Sequence, residues 1–202
     1  MSATADARRP RLLLLGLGAL FVAPLAAAWL SLALGPAWQP AETVNHGRLL
    51  QPARPLLAAG PGAADNPAAP LLRGRWTLAL LAGADCPPEC RETLAASRQV
   101  WLALNKDQAR VQRLLVTTGA LAPATRDALL RDDGTLLARA DAGLAARLRD
   151  ALATGDDARA PGGPRLLLID PLGNLVLDYA PPVAPRGLLK DLERLLKVSR
   201  IG

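Results

Sequence analysis

The run Trp76-Thr77-Leu78-Ala79-Leu80-Leu81-Ala82-Gly83-Ala84-Asp85-Cys86-Pro87-Pro88-Glu89-Cys90 decides how the rest of this 202-residue chain is read. Trp76 to Leu81 is a short apolar stretch bounded by Gly74 and Gly83, the pattern of a buried strand. The only two cysteines follow at once, four positions apart. If Cys86 caps a helix and Pro88 lies in its first turn, where a missing N–H costs nothing, Cys90 falls about one turn later on the same face. Unpaired N–H groups and the helix dipole at such a terminus favour a thiolate, so the spacing points to sulfur chemistry. The two sulfurs can close a disulfide or grip one soft metal ion. A purely structural staple is the alternative, although closing so short a loop restrains the unfolded chain by only about 2 kcal/mol.

Downstream, Cys90 to Leu104 has helical spacing, with Leu94, Trp101 and Leu104 on one side and Ala95 and Leu102 beside them. At that spacing Trp101 is a core residue rather than a stacking platform. Val111 to Val116 reads as a second strand. Two helical patterns follow, Ala122 to Leu130 and Ala142 to Ala153, separated by Asp132-Asp133-Gly134 and the apolar patch Leu136 to Ala138. Adjacent aspartates before a glycine make a turn more readily than a metal site, and Asp141 is placed to cap the second helix. Asp156, Asp157, Gly162 and Gly163 mark another loop. Leu166 to Ile169, Pro171-Leu172-Gly173-Asn174 and Leu175 to Tyr179 form a hairpin pattern. Pro185 opens a last helix whose Leu188, Leu189, Leu192, Leu195 and Leu196 would lie on a sheet, leaving Lys190, Asp191, Glu193, Arg194 and Lys197 to water. Strand, cysteine-bearing helix, strand, helical insert, hairpin and terminal helix is the thioredoxin order. It predicts an α/β domain with a central mixed sheet flanked by helices.

Upstream, Leu12 to Leu34 is uncharged and long enough to span a bilayer at ~1.5 Å per residue. Arg8, Arg9 and Arg11 precede it, which predicts a cytoplasmic basic tail over 1–11, a transmembrane anchor over 12–34 and an extracytoplasmic remainder. Pro24 can be tolerated within such a helix, and Trp29 and Trp38 suit the outer interface. A cleaved signal peptide, with Ala26 to Ala28 at the cut, competes, but signal cores run only about 7 to 15 residues. Residues 35–72 are rich in Pro, Gly and Ala and read as a linker, leaving 73–202 as the folded domain. Within that linker stands His46, the only histidine, as either a surface residue or a ligand.

The formal charge of +6 includes three arginines and one aspartate ahead of Leu34, which leaves 21 basic against 17 acidic residues beyond it. That excess, without interleaved aromatics, excludes nucleic acid as the expected partner.

Outside the cytoplasm a cysteine pair can be oxidised and needs a reductant to work as a dithiol. With the anchor, the Cys86-Pro87-Pro88-Glu89-Cys90 motif and the hairpin Leu168-Ile169-Asp170-Pro171-Leu172-Gly173-Asn174 in place, the chain resembles the Sco/SenC family over about Arg73 to Val198. These are membrane-anchored, thioredoxin-like factors for cytochrome c oxidase assembly. The resemblance implies an inner-membrane, periplasm-facing protein with an oxidase subunit or another assembly factor as partner. It also implies thiol–disulfide exchange or Cu(I) binding at Cys86 and Cys90. Cys86, taken as the more exposed, would attack and Cys90 would resolve, with Glu89 opposing the thiolate and Arg91 favouring it. The family's third copper ligand, a histidine shortly before the hairpin strand, is missing: Arg159 to Pro164 contains none. His46 is the only candidate to replace it. Pro164 resembles the cis-proline that faces the sulfurs in thioredoxins, and a trans proline is the alternative. Two other functions share these residues. One is a non-catalytic scaffold with a permanent disulfide; the other is a peroxidase, which lacks its usual motif here.

Overall fold

A computed structural model describes residues 8–33, 44–57, 69–131, 134–153 and 163–199. The chain divides into two compact units, residues 1–43 and 44–202. Most of the basic tail, Trp38, parts of the expected linker and the Asp132-Asp133 and Asp156-Asp157 turns lie outside the described residues.

Among the described residues of the first unit is one helix, α1 (Arg8–Ala33), which runs through Pro24. Its stretch Leu13–Ser31 has 19 residues of mean hydropathy 2.2, long and apolar enough to cross a membrane. With the domain that follows, this fits a single-pass membrane protein.

The second unit is built on a six-stranded mixed sheet: β1 (Arg48–Pro55), β2 (Trp76–Ala82), β3 (Val111–Thr117), β4 (Thr135–Arg139), β5 (Arg165–Ile169) and β6 (Asn174–Tyr179). Their order across the sheet is β1-β6-β5-β2-β3-β4. Strands β2, β3 and β4 are parallel, with Trp76 opposite Val111 and Arg113 opposite Thr135. Strand β5 returns antiparallel to β2, and β6 and β1 continue antiparallel. The helices are α2 (Pro88–Ala103), α3 (Pro123–Leu130), α4 (Ala142–Ala153) and α5 (Pro185–Val198). One face of the sheet buries Ala79, Leu114, Leu167 and Ile169 with Leu144 and Leu148 of α4. The other buries Leu78, Leu80, Leu166 and Leu168 with Leu94 of α2 and Leu188, Leu192 and Leu196 of α5. The thioredoxin-like sheet flanked by helices is therefore present.

Local chemistry accounts for most boundaries. Pro88, Pro123 and Pro185 each sit at the first turn of a helix, where no N–H is missed. Asp141 caps α4 as expected, its Oδ1 accepting from Leu144 N at 2.6 Å. Trp101 lies against the core and donates Nε1–H to the Val111 carbonyl at 2.9 Å. One buried residue runs against the apolar reading of β3: Arg113 is 2 % exposed. Its guanidinium donates to Ser97 Oγ and the Leu94 carbonyl, so α2 supplies acceptors that an apolar interior would not.

The stretch read as a linker over 35–72 differs at Arg48–Pro55, which is the edge strand β1 and belongs to the folded unit. Pro52 and Pro55 obscured it, because an edge strand tolerates proline on its unpaired side where a central strand does not. It pairs with β6 through Arg48–Asp178 and Leu49–Leu177, shifts register, and resumes at Arg54–Leu175. Leu56 and Leu57 follow and are buried. Gly173, at φ +89°, lets them pack there, since a Cβ would stand 2.6 Å from Leu57 Cδ1.

Candidate functional site

Cys86 leaves the carboxyl end of β2 and Cys90 lies in the first turn of α2; the two form a disulfide with Cα atoms 5.2 Å apart. The helix starts one residue later than the sequence implies, with Pro87 rather than Cys86 at the cap position. The Arg91 guanidinium donates to the Cys86 carbonyl at 3.2 Å, tying the cysteine to the turn that follows it.

The expected exposure of Cys86 is corrected by the structure: it is 5 % exposed and Cys90 is wholly buried. Both belong to the apolar cluster of Leu78, Leu80, Leu166 and Tyr179. The cover is local, because Asp85, Pro87, Pro88 and Glu89 on either side of Cys86 are exposed. Beside the pair, a cleft of about 200 Å³ separates Glu89, Glu92 and Thr93 of α2 from Pro181, Pro182 and Val183. The Pro181–Pro182 peptide is cis, whereas Pro164 is not among the cis prolines.

The sheet registers bring further groups to the same end. Leu81 of β2 stands opposite Arg165 of β5, Leu166 opposite Tyr179 of β6, and Asp178 opposite Arg48 of β1. Two buried carboxylates organise this rim. Asp178 accepts from Arg165 Nε at 2.8 Å and from Arg48 Nη2 at 2.9 Å. Asp191 Oδ2 accepts from His46 N at 2.8 Å, Gly47 N at 3.1 Å and the Tyr179 hydroxyl at 2.9 Å, and its Oδ1 meets His46 Nδ1 at 3.1 Å. A carboxylate can only accept, so Nδ1 carries the proton and Nε2 is the other, unprotonated nitrogen in the neutral ring.

Burial alone would push the Asp191 carboxyl up. The hydrogen bonds from His46, Gly47 and Tyr179 outweigh it and hold the group below the usual carboxylate range. Tyr179 goes the other way: burial first, then its bond to Asp191 and the repulsion of that carboxylate, raise the phenol far above its ordinary range.

Asp191, assigned by sequence to the watery side of α5, is 1 % exposed. Its position three residues after Leu188 and four after Gly187 put it on the inner face, and its acidic character masked that register. His46 is exposed, but its ring is held by Asp191 rather than brought to the cysteines. Among the described residues no group of three or more histidine, cysteine, aspartate or glutamate side chains is placed to hold a metal. The sulfur pair alone therefore offers soft ligands, two in number once reduced, which suits Cu(I) and not Cu(II).

The family of the transmembrane-like, thioredoxin-like, C-terminal domain matches residues 76–199. A search of the curated proteins returned no match. Among solved structures, the apo Sco1 protein of Thermus thermophilus is similar at 20% identity and a TM-score of 0.54, covering 77% of this chain and 99% of that one. Copper-bound yeast Sco1 is similar at 17% identity and a TM-score of 0.47, covering 63% of this chain and 82% of that one. The thioredoxin domain of a thiol-disulfide oxidoreductase from Bacteroides vulgatus is similar at 16% identity and a TM-score of 0.44, covering 62% of this chain and 82% of that one. At these identities the likeness is one of fold.

Proposed function

Because this chain belongs to the family of the transmembrane-like, thioredoxin-like, C-terminal domain, we propose that it is an inner-membrane factor whose periplasmic domain assists cytochrome c oxidase assembly by thiol–disulfide exchange. The observation that carries this reading is the disulfide itself, set at the start of a helix and at the end of a central strand. A free thiolate there would be stabilised by the helix terminus.

In the reduced form, Cys86 as thiolate attacks one sulfur of a partner disulfide, such as the thiol pair of an oxidase copper site. The partner bond breaks and a mixed disulfide forms. Cys90 then attacks Cys86 Sγ, closing the Cys86–Cys90 bond seen here and releasing the partner as a dithiol; two electrons pass to the partner. A separate dithiol reductant restores the pair. Because Cys86 is 5 % exposed, attack needs the turn Asp85–Glu89 to open, and that opening gates the exchange. Cu(I), where it is cargo, would be held by the two thiolates alone, since the ring of His46 is engaged by Asp191.

The burial of both sulfurs favours a second reading, a non-catalytic scaffold with a permanent staple. The reduction potential of the full chain separates them: an exchanging pair should lie above about −300 mV and a staple below it. In cells, Cys86→Ala should abolish copper-dependent oxidase maturation; normal oxidase activity in that strain would remove the exchange mechanism.

A further inference from the structure

The two walls of the cleft beside the disulfide differ in chemistry. On α2 stand Glu89, Glu92 and Thr93, and across from them Pro181, Pro182 and Val183. Spacings of three and four residues put the α2 trio on one helix face. Glu89 and Glu92 are the only charged side chains among these lining residues, and both are exposed. Among the described residues neither carboxylate takes part in a hydrogen bond or an ion pair. The Thr93 hydroxyl already donates to the Glu89 carbonyl at 2.7 Å, and Arg91, the adjacent cation, is turned to the Cys86 carbonyl. The facing prolines present carbonyl oxygens and carry no N–H. The cleft therefore sets negative charge and acceptors beside an apolar wall. Its volume of about 200 Å³ lies below the range of about 300 to 1,000 Å³ usual for small-molecule sites, a size suited to one side chain.

We propose that this cleft selects the partner: it takes a lysine or arginine side chain lying next to the cysteine under attack, with the charged head between Glu89 and Glu92 and the aliphatic stem along Pro182 and Val183. The inference rests on the exchange reading and names the class of segment that the site accepts, a disulfide-bearing stretch with a cation beside the cysteine. Glu89 directly precedes Cys90, so a side chain seated here holds the partner's sulfur near the turn that must open. Opposite charge across such a contact steers encounter and fixes register.

In the test, the full chain in detergent is reduced with a dithiol, freed of the reductant and mixed with either of two cyclic peptides closed by one disulfide. The peptides differ only beside one cysteine, where one carries lysine and the other glutamine. Rate constants for their reduction are read by chromatography of acid-quenched samples. The lysine peptide should react about fivefold faster at low salt, and the advantage should vanish toward ~1 M salt. Glu92→Gln, an exposed change outside the cysteine motif, should remove most of that advantage and leave the rate of the glutamine peptide unchanged. A change in thiol reactivity or in the fold would move both rates together. Equal rates for the two peptides with the wild-type chain, or a Glu92→Gln variant that keeps the full advantage or slows both peptides alike, overturns the inference and leaves exchange standing. Reduction of neither peptide removes the exchange reading, and this inference with it.

Discussion

Tyr179 is the only tyrosine in the chain, so its ionisation can be followed without ambiguity. Its hydroxyl donates to Asp191, and the bond survives only while the phenol keeps its proton. With a folded pKa raised far above the unfolded value of about 10, the stabilisation is complete below that pH and is lost as pH rises beyond it. The expected result is that the tyrosinate absorbance band stays absent in the folded protein above pH ~10 and appears together with loss of circular dichroism. A band growing while the fold is intact would show that the phenol is not held. Asp191 acts in the opposite sense. Its pKa is depressed, so its contribution is present above the unfolded carboxylate value of about 4 and fades as the pH falls through the lower folded value.

At the scale of elements, the segment ahead of β1 is bolted to α5 by close approach as well as by Asp191. A Cβ on Gly187 would stand 2.8 Å from His46 Cγ and 2.9 Å from its Cβ. Gly187→Ala gains roughly 1 kcal/mol of helix propensity. Against that, overpacking costs about 1 to 3 kcal/mol, and displacing His46 sacrifices a hydrogen bond to a buried charge. The net expectation is destabilisation, read as a lower midpoint in urea. In a His46→Gly background the obstacle is gone and the same substitution should stabilise. Unchanged signs in the two backgrounds would show that the contact does not constrain the helix. The same reasoning explains the misplacement of Asp191. Helical spacing placed it on the inner face, and the approach of His46, Gly47 and Tyr179 from other parts of the chain made an acid tolerable there.

For the whole domain, the decisive question is where folding begins. A fragment starting at Arg73 would lack β1 and the buried Leu50, Leu56, Leu57 and Leu72. Each such side chain contributes about 1.5 to 3 kcal/mol on burial, against a total stability of about 5 to 15 kcal/mol for a domain. A fragment starting at Val44 should unfold cooperatively, whereas the Arg73 fragment should be largely unfolded or aggregate. Equal denaturation midpoints for the two would make β1 an accessory.

Much of the architecture was legible because it rests on local patterns. The apolar run of β2, the proline-opened helices, the glycine-bearing hairpin and the leucine face of α5 each carry a period that matches one element, and their order implies the thioredoxin arrangement. The cysteine pair was legible for the same reason, as two residues four positions apart where a strand hands over to a helix. The tertiary structure decided what depends on partners far along the chain. It made β1 a strand by giving its proline-interrupted residues β6 to pair with. It buried Asp191 by bringing four donors to it, buried Arg113 by facing it with Ser97 Oγ and the Leu94 carbonyl of α2, and covered Cys86 with the cluster that holds Tyr179. Periodicity reports which face of an element turns inward. Only the packed fold determines whether a charge on that face finds enough hydrogen bonds to remain there.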